Sequence, residues 1–193
     1  MRKNKLVMPV VKWVGGKRQI IDQLLRFMPN TFSSYYEPFL GGGALLFARQ
    51  PNRAIVNDQN KELMNMYTVI RDNVEDLIFL LSQYKNDKEQ FYKARELDRS
   101  RQLYAQLSSI EKAARIIFLN KTCYNGLFRV NRAGQFNTPF GNYKNPKILD
   151  EITLRAVSYY LKNSNIRLLN TDFEESLKGI RKGAFVYFDP PYD

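Results

Sequence analysis

The segment Ser34-Tyr35-Tyr36-Glu37-Pro38-Phe39-Leu40-Gly41-Gly42-Gly43 restricts the fold more than any other part of the chain. A short β-prone run, SYYE, enters a turn of three consecutive glycines. A helix-forming run follows over Ala44–Arg49, and a second β-prone run over Arg53–Asn57. Strand, glycine turn, helix and strand in such close succession form the unit of an open α/β sheet. Glycine tolerates positive φ and close backbone approach, and the first N–H groups of the following helix point toward whatever the turn holds. Leu46 stands where the full dinucleotide fingerprint has its third glycine, so a purely structural turn fits about as well. Asp58 closes the second strand, 17 positions after Gly41. An acidic residue near that spacing accepts hydrogen bonds from ribose hydroxyls, or else caps the next helix. Together the two features favour an adenosine-containing cofactor.

The rest of the chain fits around this unit. Residues 7–11 are β-prone, and a helix is predicted over about 18–28, with Ile20, Ile21, Leu24, Leu25 and Phe27 on its apolar face. Helices are predicted at about 61–72 and 74–84. Residues 88–123 read as helical throughout, broken near Ser108, where Ser108-Ser109-Ile110-Glu111 fits a capping box. Residues 128–130 and 135–136 suit a hairpin around Asn131-Arg132-Ala133-Gly134. A helix over about 150–162, a strand over 166–170 and a last strand over 185–189 follow. The expected architecture is an α/β sheet formed by residues 1–59 and 148–193, with a helical lobe inserted at 60–147.

Charge narrows the partner. The 193 residues carry 30 Lys+Arg against 19 Asp+Glu, a net charge of +11, which suits a polyanion such as nucleic acid. Between Lys112 and Leu149 there is no Asp or Glu, while Lys112, Arg115, Lys121, Arg129, Arg132, Lys144 and Lys147 fall there. Phe118, Tyr124, Phe128, Phe136, Phe140 and Tyr143 are interleaved. Basic groups neutralise phosphates, and aromatic rings stack on or wedge between bases. The chain has no histidine, which removes Ser-His-Asp and Cys-His schemes and the usual zinc sites. Its one cysteine, Cys123, cannot form an internal disulfide and fits a reducing, cytoplasmic setting. No apolar run approaches the ~20 residues of a membrane helix.

Two further stretches carry chemistry. In Lys12-Trp13-Val14-Gly15-Gly16-Lys17 a ring, paired glycines and a cation stand together, although taken alone a buried Trp and a solvated Lys are the preferred reading. In Phe185-Val186-Tyr187-Phe188-Asp189-Pro190-Pro191-Tyr192 an apolar run ends in a rigid turn, where α/β sheets bind ligands. Asp189 and the Pro190 carbonyl can both accept hydrogen bonds from one planar amino group, with Tyr192 stacked on the ring that bears it. That pair would align an exocyclic amine lone pair for attack on a methyl group.

KWVGGK, EPFLGGG, VND, the block YNGLFRVN…GQFNTPFGNYKNPK and DPPY, in this order, resemble the Dam-like adenine-N6 DNA methyltransferases over essentially the whole chain. The resemblance implies a Rossmann-like sheet that binds S-adenosylmethionine, with a helical DNA-recognition lobe before the DPPY strand. It implies cofactor contacts at Trp13, Lys17, Asp58 and Asp189, with Glu37, Phe39 and the turn from Gly41 to Gly43 at the methionine end. Asp172 and Phe173 are implied near the cofactor's adenine. On the DNA side it implies Lys12, Tyr124, Asn125, Leu127, Arg129, Pro139, Asn142 and Tyr143, reading or wedging into GATC in duplex DNA. Asn142 stands where relatives often carry Arg. Catalysis would rest on Asp189, Pro190 and Tyr192 acting on a flipped adenine, with no metal. Relatives continue past DPPY. The expectation is therefore a monomer that is a fragment or remnant, or one half of an enzyme completed by a second polypeptide. A non-catalytic DNA-binding protein is the alternative.

Overall fold

A computed structural model describes residues 3–190. Four parallel strands form its sheet: β1 (Tyr35–Glu37), β2 (Arg53–Asn57), β3 (Asn165–Leu169) and β4 (Phe185–Val186), in the order β3-β2-β1-β4. The register sets Tyr36 beside Ile55 and Val186, and Ala54 beside Ile166. Parallel strands are buried on both faces, and β1 is buried at every position. The chain steps outward from β1 to β2 to β3, then returns to pair β4 with the other side of β1. The strand order therefore reverses between β1 and β4, and at such a reversal the two departing loops separate and open a crevice.

Nine α-helices are described: α1 (Ile21–Phe27), α2 (Ala44–Arg49), α3 (Lys61–Asp72), α4 (Val74–Ser82), α5 (Lys88–Glu96), α6 (Arg101–Gln106), α7 (Ser109–Thr122), α8 (Glu151–Asn163) and α9 (Phe173–Ser176). The main core runs from the sheet through Leu63, Met66, Tyr67 and Ile70 of α3 to Ile116 and Ile117 of α7 and Leu154 and Val157 of α8. A smaller cluster of Phe91, Ala94, Phe118, Leu119, Cys123 and Phe136 lies between α5, α7 and the loop beyond. No helix among the described residues is long and apolar enough to cross a membrane.

Several sequence expectations are corrected. Residues 7–11 form no strand: Val7, Val10 and Val11 are buried against the core without a β partner, so their β-branched side chains serve packing rather than pairing. In α1, Phe27 is 87% exposed and no residue is fully buried, leaving Ile21, Leu24 and Leu25 as its packing face. The run 88–123 is divided not only at Ser108 but also by a 3₁₀ turn at Leu97–Arg99, after which the Ser100 hydroxyl caps α6. The capping box at Ser108 is present in both directions, so two otherwise orphaned N–H groups are satisfied. The last strand pairs only over Phe185–Val186, extended by one bond from the Tyr187 N–H to the Tyr36 carbonyl at 2.9 Å. The hairpin after Phe128 is short: the Val130–Phe136 bridge is flanked by backbone bonds from the Asn131 N–H to the Gln135 carbonyl at 2.9 Å and from the Asn137 N–H to the Arg129 carbonyl at 3.0 Å.

Candidate functional site

The carboxyl ends of β1, β2 and β4 bring the first group of candidates together. After β1, Gly41 has φ +50° and Gly43 φ +67°, so both occupy the region that disfavours residues with a Cβ. The Gly41 N–H donates to Asp58 Oδ2 at 2.9 Å, tying the turn after β1 to the loop after β2. Asp58 Oδ1 accepts from the Asn60 N–H at 2.9 Å, and Asn60, not Asp58, caps α3. Burial raises the Asp58 carboxyl above its usual range, opposed by the backbone bonds from Asn60 and Gly41.

Glu37 ends β1 beneath this turn. It is buried and accepts a hydrogen bond from the Tyr35 hydroxyl at 2.7 Å. Desolvation pushes its pKa up to about 8, with Asp189 and Asp58 adding like-charge repulsion, against the lowering effect of the Tyr35 bond. On the far side of the crevice, Lys17 Nζ lies 2.7 Å from Asp189 Oδ1 and also donates to the Gly15 carbonyl at 2.8 Å. The WVGGK loop and the Asp-Pro turn are thus in contact across the strand-order reversal. Pro190 is exposed beside Asp189, and Tyr192 lies outside the described residues.

Trp13 covers the glycines. A Cβ built on Gly41 would sit 2.9 Å from Trp13 Cδ1, and one on Gly42 3.3 Å from Trp13 Cβ. The opposite end of the crevice is aromatic: Phe39 stacks on Phe173 at 5.5 Å and meets Phe188 at 6.3 Å. Asp172 is exposed; it caps α9 through the Glu174 N–H and accepts from Gln59 Nε2 at 3.3 Å.

Two residues that sequence reasoning passed over organise this edge. Asn57, fully buried at the end of β2, donates to the Pro38 and Thr171 carbonyls, both at 3.1 Å, and accepts from the Thr171 N–H at 2.9 Å. It ties together the loops after β1, β2 and β3. Phe188, 50% exposed beside Asp189, is the second. Its exposure within an apolar strand run is the signal, and it shows only in three dimensions.

The second group of candidates lies along 124–143. Tyr124, Asn125, Arg129, Pro139 and Asn142 are exposed, and Leu127 and Tyr143 are half-buried. Asn125 and Asn142 hold left-handed backbone, at φ +56° and +49°. A backbone tie and a side-chain tie shape the loop: the Tyr124 N–H donates to the Pro139 carbonyl at 2.8 Å, and the Thr138 hydroxyl to the Leu127 carbonyl at 2.6 Å. Arg129 Nε donates to Asn137 Oδ1 at 2.8 Å, which aims the guanidinium along the hairpin. Lys12 is joined to this region by its backbone: its N–H donates to Asn120 Oδ1 at 2.9 Å, and its carbonyl accepts from Asn120 Nδ2 at 2.8 Å. Arg115 departs from the basic surface that its charge pattern suggests. It is buried, donates to the Ala94 carbonyl at 2.7 Å and pairs with Asp98 at 2.7 Å.

A family model for D12 class N6 adenine-specific DNA methyltransferases matches residues 13–193. The chain belongs to that family. The methyltransferase is 45% identical over 195 residues to the type II methyltransferase M1.LlaDCHI of Lactococcus lactis subsp. cremoris, spanning 100% of this chain and 68% of that one. It is 42% identical to the type II methyltransferase M.MjaIII of Methanocaldococcus jannaschii, spanning 96% and 69%. It is 32% identical to a DNA adenine methylase of Serratia marcescens, spanning 100% and 68%. Membership makes adenine in DNA the target and implies S-adenosylmethionine as the general methyl donor of such enzymes.

Proposed function

We propose that the protein transfers a methyl group from S-adenosylmethionine to adenine N6 at GATC in duplex DNA. In this reading Trp13, Lys17, Glu37, Phe39, Gly41, Gly43, Asp58, Asp172 and Phe173 hold the cofactor. The 60–147 region is the recognition lobe. The observation that carries the reading is the convergence of Asp189, Lys17 and Glu37 where the strand order reverses between β1 and β4, opposite the Gly41–Asp58 tie. The chemistry of these donors fits the cofactor. The Glu37 carboxyl oxygens can accept from an ammonium group and the Asp58 carboxylate from ribose hydroxyls, Lys17 suits a carboxylate, and the aromatic rings of Phe39 and Phe173 suit a purine. Bound there, S-adenosylmethionine supplies an electrophilic methyl on a sulfonium centre.

The chain's residues then bind and orient the target. The Asp189 carboxylate and the Pro190 carbonyl accept the two N–H bonds of the adenine amine, turning its lone pair toward the methyl group. Tyr192 stacks on the extruded base, whose unstacking costs a few kcal/mol. Orientation supplies much of the rate, because the reacting atoms need only be held in line. Lys17, paired with Asp189 at 2.7 Å, would hold the cofactor carboxylate. In the lobe, Arg129 suits bidentate contact with a guanine edge, and Leu127 and Pro139 suit a thymine methyl. Tyr124 and Asn125 fill the space left by the adenine, while Lys12, Asn142 and Tyr143 flank the backbone.

Transfer of labelled methyl to duplexes containing GATC, GATG or neither, with DNA binding recorded on the same sample, tests this. GATC-dependent N6 incorporation is expected, and Asp189→Ala should reduce it at least ~100-fold with folding retained. Binding without incorporation would favour the non-catalytic alternative; equal incorporation into all three duplexes would overturn the GATC assignment.

A further inference from the structure

We propose that Phe128 is a positioning residue that couples occupancy of the glycine turn to the DNA-reading hairpin. The proposal rests on the cofactor and DNA assignments made above. Its basis is a continuous line of rings from one region to the other. Trp13 has no slack against the turn: added methyl groups at Gly41 and Gly42 would come within 2.9 and 3.3 Å of it. The indole also stacks on Phe128, at 4.5 Å between centroids and 18° between planes. Phe128 meets Phe136 edge-on at 5.7 Å and 62°.

Phe136 is a fixed wall. It is 2% exposed, its N–H donates to Asp98 Oδ2 at 2.8 Å and its carbonyl accepts from Arg99 at 2.7 Å. Asp98 is itself held by Arg115 at 2.7 Å. A displacement of Trp13 is therefore not absorbed behind the hairpin. It must appear in the segment between the two rings, where Leu127 and Arg129 flank Phe128. The backbone of residue 12 cannot take up the movement either, because Asn120 holds its N–H and its carbonyl and also donates to the Gly126 carbonyl at 3.0 Å. Packed elements of this kind transmit small shifts instead of damping them. A ligand that fixes the indole thus pre-orders the arginine beside Phe128, and DNA that fixes the arginine pre-orders the indole. Binding linkage requires both effects to be equal.

The test is a thermodynamic square. S-adenosylhomocysteine and a GATC duplex are each titrated into the full chain, with and without the other, for wild type, Phe128→Ala, Phe128→Leu and Phe128→Tyr. In wild type each ligand should tighten the other by one shared factor, roughly 3- to 10-fold for a stacked aromatic contact. Phe128→Tyr should keep that factor. Phe128→Leu, which preserves bulk without a flat ring, and Phe128→Ala should bring it within about 2-fold of unity. A merely structural role would weaken either affinity or lower the melting temperature and leave the factor unchanged. An unchanged factor in the leucine variant, or a wild-type factor of one, overturns the coupling while leaving the site assignments standing. Failure of S-adenosylhomocysteine to bind wild type overturns the cofactor assignment, and the coupling with it.

Discussion

Glu37→Gln removes one ionisable group from the centre of the sheet and leaves its shape almost unchanged. In the folded chain burial raises this carboxyl from 4.5 to about 8, so the native state holds a proton that the unfolded state has lost throughout the interval between. Stability falls with rising pH wherever the native state binds more protons, at about 1.4 kcal/mol per pH unit for one group. The sign is therefore fixed: the carboxyl adds no penalty below about pH 4.5, a growing one from there to about pH 8, and a constant one above. Integrated, the wild type loses about 3 kcal/mol by pH 7 and about 5 kcal/mol above pH 8 relative to a neutral side chain. The amide oxygen of Gln can still accept from the Tyr35 hydroxyl, so the hydrogen bond at 2.7 Å does not distinguish the two proteins. Urea unfolding of both, at one-unit steps from pH 5 to 9, gives the difference directly. The curves should diverge as pH rises, with the variant the more stable. Parallel curves across that range would refute the buried, protonated state of Glu37.

Three other outcomes follow from the geometry. Gly41→Ala must accept φ +50° and a Cβ 2.9 Å from Trp13, so calorimetric titration with S-adenosylhomocysteine should show at least ~10-fold weaker binding. Arg115→Met leaves Asp98 short of a partner beside α5 and α7 and should cost about 3 kcal/mol in urea unfolding, while the salt dependence of DNA binding stays unchanged. Arg129→Ala should weaken GATC binding by about 1–3 kcal/mol and relax preference at one base pair, as read by competition among single-base variants.

What was legible in the sequence follows from how local each signal is. β1, α2 and β2 declare themselves because Tyr35–Glu37, three glycines and Arg53–Asn57 each obey short-range rules, and the capping box at Ser108 is self-contained. The spacing that singled out Asp58 gave no hint of its hydrogen bonds from the Gly41 and Asn60 N–H groups. The valines at 7, 10 and 11 misled because β-branched side chains fill a core as readily as they pair in a sheet. Arg115 misled for a related reason: its counter-ion, Asp98, precedes the acid-free stretch and reaches it only through folding. The proton on Glu37, the three loops gathered by Asn57 and the stack of Trp13 on Phe128 depend on distant segments meeting, so no window of sequence contains them.

The stack of Trp13 on Phe128 also gives the molecule a native optical reporter. Trp13 is the chain's one tryptophan, so emission excited at the red edge of the ultraviolet band arises from this ring alone. The ring lies between the glycine turn and the hairpin, half-buried and within reach of solvent. Events at either neighbour should change its quenching or the colour of its emission. Ligand arrival and hairpin movement can then be followed in unlabelled protein, in real time, from a single position.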